Sequence, residues 1–375
     1  MDKFRVVLFT GNYNHIRDGV SLTLNRLVKF LESNGVELLV FGPSIRNPAL
    51  EHNGRLVEIP SISMPGRPEY RISIGLPARE RDELEKFDPD IVHIATPDIL
   101  GYKALKWAKN RNKKIVSSYH THFPSYLKYY KLQFLELPGW VYMRWFYSHC
   151  LQIYVPTSSM IETLKAHGVE GEMKVWARGV DNELFSPSKR DMEWRRNLGF
   201  KNDDVVVTFV SRIVWEKNLR TYAEAVQAAA ERNPKVRPLV VGDGPVLPEL
   251  KSLLPEAVFT GYLTGEALAK AYASSDIFLF PSDTETFGNV TLEAMTCGLP
   301  CVVADAVGSK SLVDHNANGY LIPVSETKRF TEAVSKLAED KDLRTQMSRI
   351  SLLKSKQYTW DQINNNLLSY YRMIL

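Results

Sequence analysis

Twice along this chain a series of short apolar runs alternates with stretches of helical periodicity, and few architectures accommodate that pattern. In the first series Val6 to Thr10 ends at Gly11, and Val20, Leu24, Leu27, Val28 and Leu31 then recur at helical spacing until Asn34-Gly35 stops them. Val36 to Phe41, Asp90 to Ala95 and Lys114 to His120 restart as strands, the last behind a helical stretch from Tyr102 to Asn110. A second series follows the polar, proline-containing stretch Phe185 to Asp191, which reads as a linker. Its strands are Val205 to Ser211, Pro238 to Gly242, Val258 to Gly261, Ile277 to Ser282 and Pro300 to Asp305. Alternation of this kind predicts an α/β fold of two tandem parallel sheets, each covered by helices on both faces, with a cleft between the domains. A length of 375 residues suits two cores better than one. The last segment, YTWDQINNNLLSYYRMIL, reads as a helix whose stripe of Trp360, Ile363, Leu367, Tyr370 and Tyr371 is core packing.

Composition narrows the function only a little. A formal charge of +4 and a pI near 8.7 suit an anionic small molecule or an anionic membrane surface as well as nucleic acid. Cys150, Cys297 and Cys301 are too few and too uneven for a disulfide framework, so small buried thiols in a reduced, cytoplasmic protein are expected. MDKFRVVLFT enters a strand without the apolar stretch of a signal peptide, and no run approaches the 18 apolar residues of a membrane span.

In open parallel sheets ligands sit beyond the carboxyl ends of strands, so the loops there come first. PSDTETFGNVTLEAM carries Glu285 before a predicted helix and Glu293 inside it, with Thr286, Phe287 and Gly288 between them. Eight helical residues turn through about 800°, leaving the two carboxylates roughly 80° apart and two turns distant, so they cannot pinch one atom. An elongated ligand can touch both, with a phosphate on the free amides of the helix start, and Gly288 lets the backbone come close. Arg212 and Lys217, in SRIVWEKN just past the first strand of the second series, supply two cations for such a phosphate. Gly11 and Gly19 lack the spacing of a dinucleotide fingerprint, as does VGDGP, yet a glycine-hinged loop entering a helix suits a phosphate or an acceptor hydroxyl. His120 falls at a strand end and His122 follows it; a metal would need further ligands that the sequence does not offer. Downstream, Phe123, Tyr126, Tyr129, Tyr130, Phe134, Trp140, Tyr142, Trp145, Phe146 and Tyr147 crowd together with Lys128, Lys131 and Arg144. That composition fits either a buried aromatic helix or an interfacial element that lies on a membrane without spanning it.

Taken in order, RDGVSLTLNRL, YHTHFPSY, KVWARGVDNELFSP, SRIVWEKN, VGDGP and PSDTETFGNVTLEAMTCGLPCVVAD make the chain resemble the retaining glycosyltransferases of family 4 over nearly its whole length. The resemblance implies the GT-B fold: residues 1–184 as an acceptor-binding Rossmann-like domain, 185–355 as a nucleotide-sugar-binding one, and 356–375 as a helix packing back on the first. It further implies that Arg212 and Lys217 hold the donor diphosphate, that Glu285 contacts the transferred sugar and that Glu293 binds the ribose hydroxyls. Thr286, Phe287 and Gly288 then offer backbone amides, Gly19 approaches the diphosphate, and His120 lies beside the reacting carbon, with His122 and Tyr126 on the acceptor side. The family often has two glycines where this chain has Asp18-Gly19.

YHTHFPSY with its aromatic sequel, and VWARGVD, look most like the branch that glycosylates membrane lipids. Implied is transfer of a hexose or hexuronic acid from a nucleoside diphosphate sugar, UDP favoured, to a hydroxyl of a diacylglycerol- or ceramide-type lipid. Neither a metal nor a further cofactor is expected, and nucleic acid is not an expected partner. The enzyme would sit peripherally on the cytoplasmic face of the cell membrane. Alternatives are a GDP-mannose-dependent mannosyltransferase, a soluble transferase acting on a polysaccharide or small glycoside, a sugar-nucleotide epimerase of the same fold, and a non-catalytic sugar-nucleotide binder.

Overall fold

A computed structural model describes residues 3–65, 67–120, 134 and 136–375, and these divide into two compact units. His122 and Tyr126 lie outside the described residues. The first unit comprises residues up to Ala177 together with Trp360–Leu375, and the second Arg178–Thr359.

The first unit carries β1 (Arg5–Phe9), α1 (Gly19–Ser33), β2 (Glu37–Pro43) and β3 (Arg55–Ile59). An antiparallel hairpin of β4 (Ser61–Met64) and β5 (Arg67–Ser73) follows. Then come α2 (Ala78–Phe87), β6 (Ile91–Ile94), α3 (Ile99–Lys109), β7 (Lys114–Ser118), α4 (Glu136–Tyr147), β8 (Gln152–Val155), α5 (Ser158–Ala166) and β9 (Glu172–Val175). The sheet runs β3-β2-β1-β6-β7-β8-β9, and every pairing in it is parallel. Continuous apolar runs such as Val6–Phe9 and Leu38–Phe41 are what a strand buried on both faces requires.

The second unit carries β10 (Val205–Val210), β11 (Val236–Val241), β12 (Val258–Gly261), β13 (Ile277–Phe280), β14 (Cys301–Ala304) and β15 (Gly319–Ile322). Its parallel sheet runs β12-β11-β10-β13-β14-β15. The helices are α6 (Met192–Asn197), α7 (Leu219–Arg232), α8 (Leu247–Leu253), α9 (Gly265–Ala273), α10 (Asn289–Thr296), α11 (Thr327–Glu339) and α12 (Lys341–Ser355). All six residues of β10 are buried, and full burial of each apolar side chain contributes about 1.5–3 kcal/mol. The last helix, α13 (Trp360–Ile374), belongs to the first unit, where it packs on α1 with the Arg26 guanidinium 4.6 Å from the Trp360 ring centroid.

The units divide at 177/178 and 359/360, where the sequence suggested 184/185 and 355/356. Pairing of the two connecting segments with each other accounts for the difference: Val180 N donates to Tyr358 O at 2.8 Å, and Val180 bridges Thr359. The polar stretch expected as a free linker is also fastened to the second unit. Arg190 and buried Arg195 share the Asp276 carboxylate at 2.8 Å each, so its charge is spent on a staple. The three free cysteines are buried.

Candidate active site

β10 ends at Val210, and the backbone then turns sharply to bring out Arg212. Two glycines of VGDGP make that turn fit. A Cβ on Gly242 would stand 1.9 Å from Ser211 O, and one on Gly244 would stand 2.3 Å from Ile213 O. The turn after β10 is therefore laid backbone against backbone on the loop after β11, with Ile213 N donating to Asp243 O at 2.9 Å. VGDGP supports the cation loop instead of cradling a phosphate itself. Arg212 is exposed and pairs loosely with Glu216 at 3.8 Å.

Lys217 ends a short 3-10 turn, Trp215–Lys217, and Asn218, in the left-handed region at φ 54°, redirects the chain into α7. Lys217 Nζ donates to Glu285 Oε1 at 2.6 Å and to Thr284 Oγ1 at 3.0 Å. Asn218 Nδ2 donates to Pro281 O at 2.9 Å and Asp283 Oδ1 at 3.2 Å, so the loops after β10 and β13 form one wall. The loop after β14 completes it, because a Cβ on Gly308 would lie 2.6 Å from Glu285 O.

Gly288 caps α10 at φ 95°, a left-handed conformation that a side chain would strain, and Asn289 opens the helix. Gly288 has no side chain with which to cap this end, and a helix N-terminus of this kind presents amides and a positive dipole end. Phe287 is buried against Tyr358, with ring centroids 5.8 Å apart, which fixes the backbone between Glu285 and the helix. Glu293, on the second turn of α10, accepts from the Tyr272 hydroxyl at 3.1 Å. Burial, and the Glu293 charge beside it, hold that hydroxyl protonated far above its ordinary range, so it can only donate there.

Of the residues singled out from sequence, Lys217 and Glu285 are brought into direct contact, and Arg212, Thr286, Phe287, Gly288 and Glu293 sit on the loops and helix around them, all in the second unit. Gly19 and His120 belong to the first unit. Gly19 is the first residue of α1, and Asp18 caps that helix in a reciprocal box: Ser21 N donates to Asp18 Oδ1 at 2.8 Å, and Asp18 N donates to Ser21 Oγ at 3.0 Å. Asp18 stands where the family often has glycine, and its carboxylate already occupies the helix N-terminus. His120 lies two residues beyond β7 and is buried, where the sequence had extended the strand through it. Sequence reasoning missed Tyr272 and Gly308, neither of which lies in a motif of recognisable spacing, and passed over Asn218 although SRIVWEKN ends on it. The spacing of Asp18 and Ser21 is the signal that could have found the cap, and it was not used.

Aromatic residues of α4 separate by face. Trp140, Phe146 and Tyr147 are buried, while Leu137, Val141 and Trp145 are 70%, 53% and 41% exposed. No helix among the described residues is long and apolar enough to cross a membrane.

Fold and site together define a retaining glycosyltransferase with the two Rossmann-like units of the GT-B architecture, and the chain belongs to the family 4 glycosyltransferases. Residues 17–184 match the model described as Glycosyltransferase Family 4, and residues 191–351 that of Glycosyl transferases group 1. A GDP-mannose-dependent alpha-mannosyltransferase of Mycobacterium tuberculosis is 31% identical over 99% of this chain and 97% of its own length. The sulfoquinovosyl transferase SQD2 of Arabidopsis thaliana is also 31% identical, over 91% of this chain and 68% of its own. Among solved structures, a sucrose-phosphate synthase of Thermosynechococcus elongatus superposes with a TM-score of 0.80 over 99% of both chains at 18% identity, a likeness of fold.

Proposed function

We propose that the enzyme transfers a hexose or hexuronic acid from a nucleoside diphosphate sugar to a hydroxyl of a membrane lipid, with retention at the anomeric carbon. The observation that carries the donor half is the Lys217–Glu285 contact beside the uncapped N-terminus of α10. Arg212, Lys217 and the amides after Gly288 supply positive potential for a diphosphate, both bound and leaving. Glu293, steered by Tyr272, is suited to accept from ribose hydroxyls.

Glu285 has its charge matched by Lys217 and makes a poor nucleophile, which favours a front-face route. The bond from the anomeric carbon to the phosphate oxygen breaks, the acceptor oxygen bonds to that carbon on the same face, and the acceptor proton passes to the departing phosphate. Cationic side chains and amides suffice as counter-charge in this scheme, so no metal is invoked. His120 would meet the sugar beside the reacting carbon, with Gly19, His122 and Tyr126 serving the substrates from the first unit. Asp18 at the head of α1 favours hydroxyl groups over a second anion at that end.

The lipid half is supported by α4. Leu137, Val141 and Trp145 follow one another at four-residue intervals, which puts them on one side of the helix, all exposed, and Phe134 ahead of the helix is exposed too. Tyr102 of α3 lies beside Trp145, with ring centroids 5.8 Å apart, and Lys103 and Lys106 follow it in the same helix. An apolar stripe edged by cations suits the face of an anionic bilayer. The relative SQD2, a sulfoquinovosyl transferase, supports an acidic hexose. The mannosyltransferase relative supports GDP-mannose as a second reading over the UDP donor expected from sequence.

A thermal-shift screen of UDP- and GDP-sugars, followed by incubation of the best donor with lipid extracts, tests the proposal. Stabilisation by one nucleotide sugar and a glycosylated lipid are expected. Conversion of the donor without any acceptor, or transfer to soluble glycosides alone, would overturn it.

A further inference from the structure

His93 is fully buried in β6, and nothing in the donor chemistry calls for it. Its ring joins two distant parts of the first unit. Nδ1 lies 2.6 Å from the hydroxyl of Tyr371 on α13, and Nε2 lies 2.9 Å from Ser118 Oγ at the end of β7. Ser118 Oγ in turn lies 2.8 Å from His120 Nε2. Tyr154 and Trp176 meet the His93 ring edge-on.

The direction of these bonds follows from counting protons. Burial pushes the His93 pKa down to about 3, so its ring is neutral and carries one N–H. Among the described residues the Tyr371 hydroxyl has His93 as its one hydrogen-bond partner. If His93 donated from Nδ1, the phenolic hydrogen would be buried without an acceptor, which is the costly arrangement. With Tyr371 donating to Nδ1, His93 donates from Nε2 to Ser118, and Ser118 passes its own hydrogen to His120 Nε2. Every donor from Tyr371 to Ser118 is then used.

We propose that Tyr371, His93 and Ser118 are positioning residues that hold neutral His120 as its Nδ1–H tautomer. His120 Nε2 is then taken up by Ser118 and cannot serve as a base, and Nδ1 carries the one N–H of the ring. The significance for catalysis rests on the reading of His120 as a substrate-facing residue, whereas the tautomer itself does not. The C-terminal helix thereby sets the chemistry of a loop some 250 residues earlier in the chain.

Nitrogen-15 NMR of the full chain labelled at its eight histidines reads this directly without substrate, His120 being assigned by the signal lost in His120→Gln. Expected is a pyrrole-like Nδ1 and a pyridine-like Nε2, shifting toward a mixed population in Tyr371→Phe and in Ser118→Ala. A pyrrole-like Nε2 in the unmodified enzyme overturns the proposal even where neither variant folds, and so does an unchanged pattern in folded variants. Full turnover by His120→Ala would sink the substrate-facing reading and leave the tautomer result standing.

Discussion

Lys217 Nζ stands 2.6 Å from Glu285 Oε1, and that one contact ties the loop after β10 to the loop after β13. On the proposed reading a donor diphosphate would share Lys217 with Glu285, the pair orienting the lysine before substrate arrives and balancing the carboxylate when it leaves. Lys217→Ala should lower kcat by roughly 10²–10³-fold, the size of effect seen when one electrostatic donor is removed from a transition state. Thermal melts should show an intact fold. Lys217→Arg keeps the charge but replaces a point charge by a planar fork, so it should recover only part of the rate.

Tyr272→Phe removes the hydroxyl that steers Glu293 while keeping the buried ring. A stability loss of about 1–2 kcal/mol is expected, since the carboxylate keeps its exposure to water at the helix surface. Donor KM should rise several-fold with kcat little changed, which calorimetric titration of the nucleoside diphosphate and steady-state kinetics would both register. An unchanged donor KM would remove Glu293 from the ribose site.

Gly242→Ala tests the support beneath Arg212. The new Cβ would meet Ser211 O at 1.9 Å, and the residue sits at φ 140°, so destabilisation of about 3 kcal/mol or more should accompany a loss of turnover. Gly261→Ala, at φ 74° with open space around it, should cost only about 1 kcal/mol and leave turnover intact. Denaturant melts of the two variants separate backbone strain from collision.

These cases show how far the sequence could be read. Strand runs such as Val205–Val210 were legible because a parallel strand buried on both faces has to be apolar throughout. Arg212, Lys217, Glu285 and Glu293 stood out because phosphate chemistry needs cations and amides at strand ends. Gly308 and Tyr272 did not, since their roles come from contacts across sequence gaps of 23 and 21 residues that no local spacing encodes. The double pairing of Val180 with the segment at Tyr358 and Thr359 was equally invisible, and it moved the unit boundary. His93 read as one more position in an apolar strand.

His93 also gives the fold a pH dependence of known sign. Its folded pKa is about 3 against about 6.5 unfolded, so above pH 6.5 both states are neutral and its contribution is constant. Below that the unfolded chain binds the proton first, and stability falls by up to about 1.4 kcal/mol per pH unit until the folded pKa is reached. Urea melts from pH 7 down to pH 4.5 should show His93→Asn losing stability less steeply than the unmodified enzyme. Parallel slopes would mean that His93 titrates freely in the folded chain.

Vesicle binding separates the two faces of α4. Trp145→Ser with Val141→Ser should reduce co-sedimentation with anionic liposomes several-fold with the fold retained and a modestly lowered melting temperature, since Trp145 also packs on Tyr102 and Tyr142. Equal sedimentation would move the membrane contact elsewhere.

The most direct test of the central claim is a transfer assay with the donor found by thermal shift, vesicles containing diacylglycerol and anionic lipid, and mass analysis of the organic phase. Expected are a lipid carrying one added sugar, α-linked when the donor is α-linked, and a loss of roughly a hundredfold or more in Lys217→Ala. A sugar found only on water-soluble acceptors, a product of inverted configuration, or undiminished transfer by Lys217→Ala would contradict it.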